Sequence, residues 1–218
     1  IVVVASKVVS LAEGRVRKPQ EVRASKEANR LGKKFSVSPD LMQLILDESD
    51  FVVGGSSGFM LAIRKGFPCV NACIDAANAP DGSLVLPPFN ADESARHMRQ
   101  EIKTKTGKNT AVIVADSGLL PGRRGTIGVA LGFAGLKPSR KYVGKKDLYG
   151  RPFRVTFQSV VDDVASAAEL LMGEADERIP FVIVRGAPVE LTDEELGIEN
   201  TLLPSDGGVL TSTVSRKN

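Results

Sequence analysis

The residues of this chain best equipped for chemistry are three carboxylates that stand beside amide or hydroxyl groups. Asp116 is followed at once by Ser117, Asp75 precedes Asn78 by three positions, and Glu174 follows Gly173. Hard oxygen donors of this kind suit Mg²⁺ or Mn²⁺, and paired ions commonly bridge nucleotide phosphates, so the chemistry indicated is phosphoryl transfer. Asp116 closes the apolar run Ala111-Val112-Ile113-Val114-Ala115. A β-branched run reads as a buried strand, and an acid just past its carboxyl end stands where α/β sheets collect ligands. Alone, each acid reads as a turn or cap residue. Together they make an oxygen-ligand site the better account.

Other chemistries lack their residues. Neither a P-loop nor a dinucleotide-binding glycine motif occurs, so any nucleotide is held another way. His97 is the single histidine, among charged residues on a helical stretch, which excludes a histidine-centred metal site. Cys69 and Cys73 have no second pair, read as small packing residues, and fit a reducing cytoplasm. Gly54-Gly55-Ser56-Ser57-Gly58 reads as a hairpin turn rather than a phosphate cradle. The net charge of +3, no Trp and two Tyr give little for nucleic-acid binding, although Arg123-Arg124, Arg140-Lys141 and Lys145-Lys146 gather in one loop-rich stretch. No run of 18 apolar residues is present to span a membrane.

The elements that must position these acids can be read from pattern. The spacing predicts strands at residues 1–5, 50–53, 59–64, 68–72, 111–115, 128–135, 154–157 and 181–184, with an extended piece at 13–16. Ser25 and Ser38 cap predicted helices to about Leu31 and Leu46, and Asn90 opens one that Gly107 stops. A further helix carries Val160, Val164, Ala167, Ala168 and Leu171 toward the core, with Asp162, Asp163, Ser166 and Glu169 toward the other face. Strict alternation of strand and helix is missing, which favours an α+β fold. At 218 residues, one large domain or two small interlocked ones is expected. The opening Ile1-Val2-Val3-Val4 reads as a strand entered partway, so a preceding segment is expected upstream.

Ordered across the chain are Val3-Val4-Ala5-Ser6-Lys7-Val8-Val9-Ser10 running into Ala12-Glu13-Gly14-Arg15, then Leu44 to Ser49 and Asn71 to Asn78. Ala115-Asp116-Ser117, Gly125 to Gly132, Asp147-Leu148-Tyr149-Gly150-Arg151 and Ala165 to Gly173 follow. In these motifs the chain resembles the coenzyme F-420-0:L-glutamate ligases, or F-420 γ-glutamyl ligases, as far as about Arg185. The resemblance implies an α+β fold of mixed sheets and packed helices in two closely associated subdomains of an intertwined homodimer. Residues 1–185 would form the catalytic domain, lacking the family's N-terminal segment with its Gly-Ile-Pro loop, and 186–218 a polar extension.

It further implies an enzyme that adds L-glutamate to F-420-0 through an acyl phosphate, with GTP converted to GDP and phosphate. Two Mg²⁺ or Mn²⁺ ions and a monovalent cation, K⁺, would assist. Asp75 and Asp116 would hold one metal, and Ser117 and Glu174 the second. Ser6, Lys7, Asn78, Met172, Gly173 and Glu174 would contact GTP. Arg123, Arg124 and Lys145 are candidate docking charges for the anionic precursor. Leu11 stands where many relatives carry Lys, leaving Lys7 as the nearest substitute. Two other readings stay open: a non-catalytic nucleotide- or deazaflavin-binding homologue, and a metal-dependent phosphohydrolase.

Overall fold

The computed structural model describes residues 1–203 except Ser57 and Pro121; the rest of the expected polar extension, 204–218, and the tip of the glycine-rich turn lie outside it. In chain order the elements are β1 (Val2–Ala5), α1 (Ser6–Ala12), β2 (Val16–Arg17), α2 (Lys26–Phe35), α3 (Pro39–Glu48), β3 (Phe51–Ser56), β4 (Phe59–Arg64), β5 (Phe67–Val70) and β6 (Leu84–Val85). There follow α4 (Ala91–Thr106), β7 (Val112–Leu119), β8 (Thr126–Ala134), β9 (Ser139–Lys141), β10 (Phe157–Ser159), α5 (Val160–Met172) and β11 (Phe181–Ile183). Mixed and antiparallel sheets with five α-helices among the described residues make this an α+β protein. The chain divides into two units, one of Ile1–Val9 with Asn90–Thr201, the other of Ser10–Phe89 with Leu202 and Leu203 of the described tail.

The first unit is built on a sheet of order β11-β1-β7-β8, in which β1 and β7 are parallel and the outer pairings antiparallel. Successive residues of β1 and β7 point to opposite faces. Val3, Ile113 and Ala115 meet Val161, Val164, Ala165 and Ala168 of α5, whereas Val4, Val112 and Val114 meet Ala91 and Ala95 of α4. One helix therefore covers each face. A bulge in β8 opposite Val114/Ala115 inserts Leu131 as an unpaired residue. Before the bulge Gly128 and Ala130 face α5; after it Gly132 and Ala134 face α4. Both glycines permit close approach, because a Cβ at Gly128 would lie 2.5 Å from the Ala165 backbone and one at Gly132 2.4 Å from that of Ala91.

The second unit packs α2 and α3 with the antiparallel sheet β3-β4-β5 around Ala28, Met42, Ile45, Met60 and Ala62, all fully buried. Ser25 caps α2, its Oγ accepting from the Ala28 amide at 3.1 Å. Buried Arg15 is held by Glu48 at 2.7 Å and the Pro87 carbonyl at 2.9 Å, with Phe89 stacked under the guanidinium. β3 and β4 form the hairpin expected from the glycine-rich turn.

Several expectations need correction. Residues 6–12, to which the sequence pattern assigns no element, are helical. The final sheet-forming stretch before α5 is 157–159, not 154–157. Ser38 makes no side-chain cap to α3. On α5 Asp163 is exposed as expected, but Asp162 and Ser166 do not face away from the sheet. Asp162 Oδ1 accepts from the Ala130 amide at 2.9 Å, and Ser166 Oγ donates to the Gly128 carbonyl at 2.8 Å. β8 is the edge strand of its sheet, and the amide of Ala130, next to the bulge, is satisfied by a side chain of α5. Ala167 and Leu171, expected toward the core, are exposed, as are Asp163 and Leu170.

Candidate active site

β1 and β7 run parallel in register from Val2/Val112 to Ala5/Ala115, and the chain leaves the core at their carboxyl ends. Here β1 passes into α1 through Ser6 and Lys7, while β7 continues as Asp116, Ser117, Gly118 and Leu119. Asp116 therefore lies within the strand rather than just beyond it. It sits at the first half-exposed position after the four buried residues Val112–Ala115, beyond the end of β1, so the surroundings are those expected of a strand end. Pleat alternation turns Asp116 and Ser117 to opposite faces, Ser117 to the α5 side.

Ser117 is joined there by Glu174. Gly173 ends α5 with φ 69°, turning the chain back toward the sheet. Ser117 Oγ donates to Glu174 at 2.9 and 3.0 Å, and Thr126 Oγ1 at the start of β8 donates to the same carboxylate at 2.5 Å. Lys7 adds a nearby positive charge. Burial alone would raise the Glu174 pKa, but Thr126, Glu169, Ser117 and Lys7 outweigh it and hold the pKa below the ordinary carboxylate value. Its neighbour Glu169 behaves oppositely. Burial, then the hydrogen bond and charge of Glu174, push it up to about 7. Among the described residues no group of three or more His, Cys, Asp or Glu is arranged to hold a metal ion. The donors around Glu174 are mixed: one further carboxylate and two hydroxyls.

Thus Ser117 and Glu174 meet, with Lys7 at hand, and Met172 and Gly173 adjoin them in sequence. Ser6 is buried at the head of α1. Asp116 Oδ1 accepts from the Ser117 amide at 3.0 Å. Asp75 and Asn78 belong to the second unit. Asp75 exchanges backbone hydrogen bonds with Val85 at 3.0 and 2.8 Å, and its Oδ1 accepts from the Ala77 amide at 2.7 Å. The turn before it is unusual: Asn71, Ala72 and Cys73 all have positive φ, at 49°, 54° and 62°, as does Asn78 at 52°. Such left-handed non-glycine residues are costly and concentrate at functional sites. Arg123 and Arg124 stand at the β7–β8 turn, and Lys145 lies over the Tyr142 ring at 5.0 Å in the β9–β10 excursion. Sequence reasoning missed Thr126 and Glu169. Glu169 carries a signal only in its i, i+5 separation from Glu174 across a helix-ending glycine.

A profile of the F420-0:Gamma-glutamyl ligase family matches residues 1–186. The chain belongs to that family. Its relatives include the coenzyme F420:L-glutamate ligase of Archaeoglobus fulgidus, 41% identical over 189 residues that make up 87% of this chain and 76% of that protein. The ligase of the same description from Methanocaldococcus jannaschii is 42% identical, covering 87% of this chain and 76% of the relative. That from Methanothermobacter thermautotrophicus is 38% identical over 94% of this chain and 82% of its own length. The match to this ligase family spans both units of the chain.

Proposed function

We propose that this protein is a coenzyme F-420 ligase, joining L-glutamate to the deazaflavin precursor F-420-0 in a reaction driven by conversion of GTP to GDP and phosphate. The observation that carries the reading is the Ser117–Glu174 pair at the carboxyl end of a parallel strand pair, in a chain that matches the ligase family along 186 residues. The donor chemistry fits a hard divalent cation. The side chains hydrogen-bonded to Glu174, Ser117 and Thr126, are hydroxyls, and the neighbouring carboxylates are a charge arrangement that a cation would relieve. Ser117 and Glu174 would hold one Mg²⁺ or Mn²⁺, and Asp116 and Asp75 are the proposed ligands of a second. Such ions, with K⁺ assisting, would neutralise the β- and γ-phosphates of GTP and so make the γ-phosphorus open to attack.

The chain's own residues would orient the reactants. Ser6 and Lys7 head α1 at the end of β1, and the ammonium of Lys7 is suited to a phosphate oxygen. Leu11 is one helical turn from Lys7 on the same face, so Lys7 can serve the space in which relatives place a second basic side chain. Asn78 and the Met172-Gly173-Glu174 turn are the other proposed nucleotide contacts. Arg123, Arg124 and Lys145 would hold the anionic precursor. Its carboxylate attacks the γ-phosphorus, the bond to the GDP oxygen breaks, and an acyl phosphate forms. The α-amine of L-glutamate then attacks the acyl carbon, phosphate leaves, and the amide retains the glutamyl unit.

A homodimer is part of the proposal. Exposed Leu148, Tyr149, Val155 and Phe157 on and beside β9–β10 supply apolar surface of the kind that self-association buries. Incubating the protein with F-420-0, GTP, L-glutamate and Mn²⁺ should yield deazaflavin products heavier by whole glutamyl units in a mass spectrum. Nucleotide turnover that proceeds equally without glutamate, leaving the deazaflavin mass unchanged, would refute the ligase reading.

A further inference from the structure

The stretch Gly125 to Gly132 carries a single polar side chain, that of Thr126; its other residues are glycine or aliphatic. Thr126 opens β8 opposite Leu119, and two residues later Gly128 pairs with Ser117. With a period of two along each strand, Thr126, Gly128 and Ser117 share the α5 face, and the two hydroxyls are diagonal neighbours across the ladder. Glu174, delivered by the turn at Gly173, meets both. Ser117 Oγ donates to the two carboxylate oxygens at 2.9 and 3.0 Å, and Thr126 Oγ1 donates to Oε1 at 2.5 Å. The seating of α5 on β8 brings the helix end this close, because Gly128 places no side chain against the Ala165 backbone, which a Cβ there would approach to 2.5 Å. A carboxylate turns freely about its last side-chain bond, so one shared donor leaves its plane loose. A second donor on Oε1, carried by a β-branched side chain with restricted χ1, fixes it.

We propose that Thr126 is a positioning residue for the divalent cation, its hydroxyl holding the Glu174 carboxylate in the orientation in which that group and Ser117 Oγ present oxygen to one ion. The inference rests on the proposed metal role of Ser117 and Glu174. Partners that orient metal ligands in this way typically contribute about tenfold to a hundredfold in metal affinity. The hydroxyl is the operative group. Serine at this position retains the donor, whereas valine keeps the branched shape and strand preference of threonine and removes it.

The test is a Mn²⁺ titration of the whole chain followed by electron paramagnetic resonance, with and without GTP, on wild type, Thr126→Ser, Thr126→Val, Thr126→Ala and Glu174→Gln. Thermal melts of the metal-free proteins run alongside, and Thr126, exposed at the first position of its strand, should tolerate all three substitutions there. Thr126→Val should weaken Mn²⁺ by about tenfold or more, Thr126→Ala should match it, and Thr126→Ser should keep the affinity of wild type. Steady-state rates should show the loss in Thr126→Val mainly as a raised KM for the Mn²⁺-nucleotide, relieved by more Mn²⁺. Unchanged affinity in both Thr126→Val and Thr126→Ala, while Glu174→Gln loses the ion, overturns the positioning role and leaves the metal reading standing. An equal loss in Thr126→Ser also overturns it, because the hydroxyl would then not be what matters. So does a loss of Mn²⁺ that only tracks a fall in the metal-free melting temperature, which would make the role structural. A wild-type chain that takes up no Mn²⁺ overturns the metal reading and this inference with it.

Discussion

Asp116 and Ser117 show how two neighbouring residues can serve different surroundings: the strand's alternation sends one side chain to each face, and only Ser117 reaches Glu174. The proposal gives Asp116 and Asp75 a second cation, so neutralising either acid should depress the rate without touching the core. For Asp116→Asn, loss of one charge-assisted contact to the transition state corresponds to a few kcal/mol, or roughly a hundredfold in turnover. Asp75→Asn should behave similarly. Steady-state assays at saturating Mn²⁺ decide this, and near-normal turnover in either variant removes that residue from the site. The acids, Ser117 and Lys7 could be singled out from their place after apolar runs and from the family pattern. Thr126 and Glu169 could not, since a hydroxyl at a strand start and an acid on a helix look like solvated positions until β8 pairs with β7 and the chain turns at Gly173 into Glu174.

At the scale of elements, local signals were the legible part. Ser25, Asn90 and Gly107 mark helix ends where caps form, with the Asn90 side chain accepting from the Glu93 amide at 3.3 Å and Gly107 in the left-handed region at φ 69°. α1 was hidden because seven residues holding two β-branched valines and no acid in the first turn carry almost no helical signature. On α5 the periodicity showed which residues share a face but not what that face meets, and no local pattern announced the β8 backbone groups that Asp162 and Ser166 satisfy. The close passage of α4 across β8 makes a stability prediction. Gly132→Ala forces a methyl onto the Ala91 backbone and should cost about 3 kcal/mol in urea unfolding. A second prediction concerns Asp92 on the same helix, whose carboxylate accepts from the Phe133 and Ile198 amides at 2.9 and 3.0 Å. Burial raises its pKa, against those hydrogen bonds. The folded state therefore holds this proton more tightly than the unfolded one, and the associated stability, complete below about pH 4, is lost as pH rises through the folded value. Asp92→Asn cannot ionise, so its melting temperature should fall less than that of wild type between about pH 4 and pH 7.

For the molecule as a whole, the proposed homodimer predicts a light-scattering mass of twice the chain, and substituting the exposed Tyr149 and Val155 with Lys should drive it toward the monomer. A mass of one chain for the wild type would refute the dimer. The described residues contain no helix long and apolar enough to cross a membrane. The arrangement of the first unit, with β1 contributed by the start of the chain and its neighbours by residues 112–115 and 181–183, has a further consequence. On a ribosome, Ser10–Phe89 is fully synthesised while Val2–Ala5 still lacks both pairing partners. That nascent apolar segment must stay shielded for more than a hundred residues of elongation, making it the stretch where a holdase chaperone, or premature aggregation, would act first.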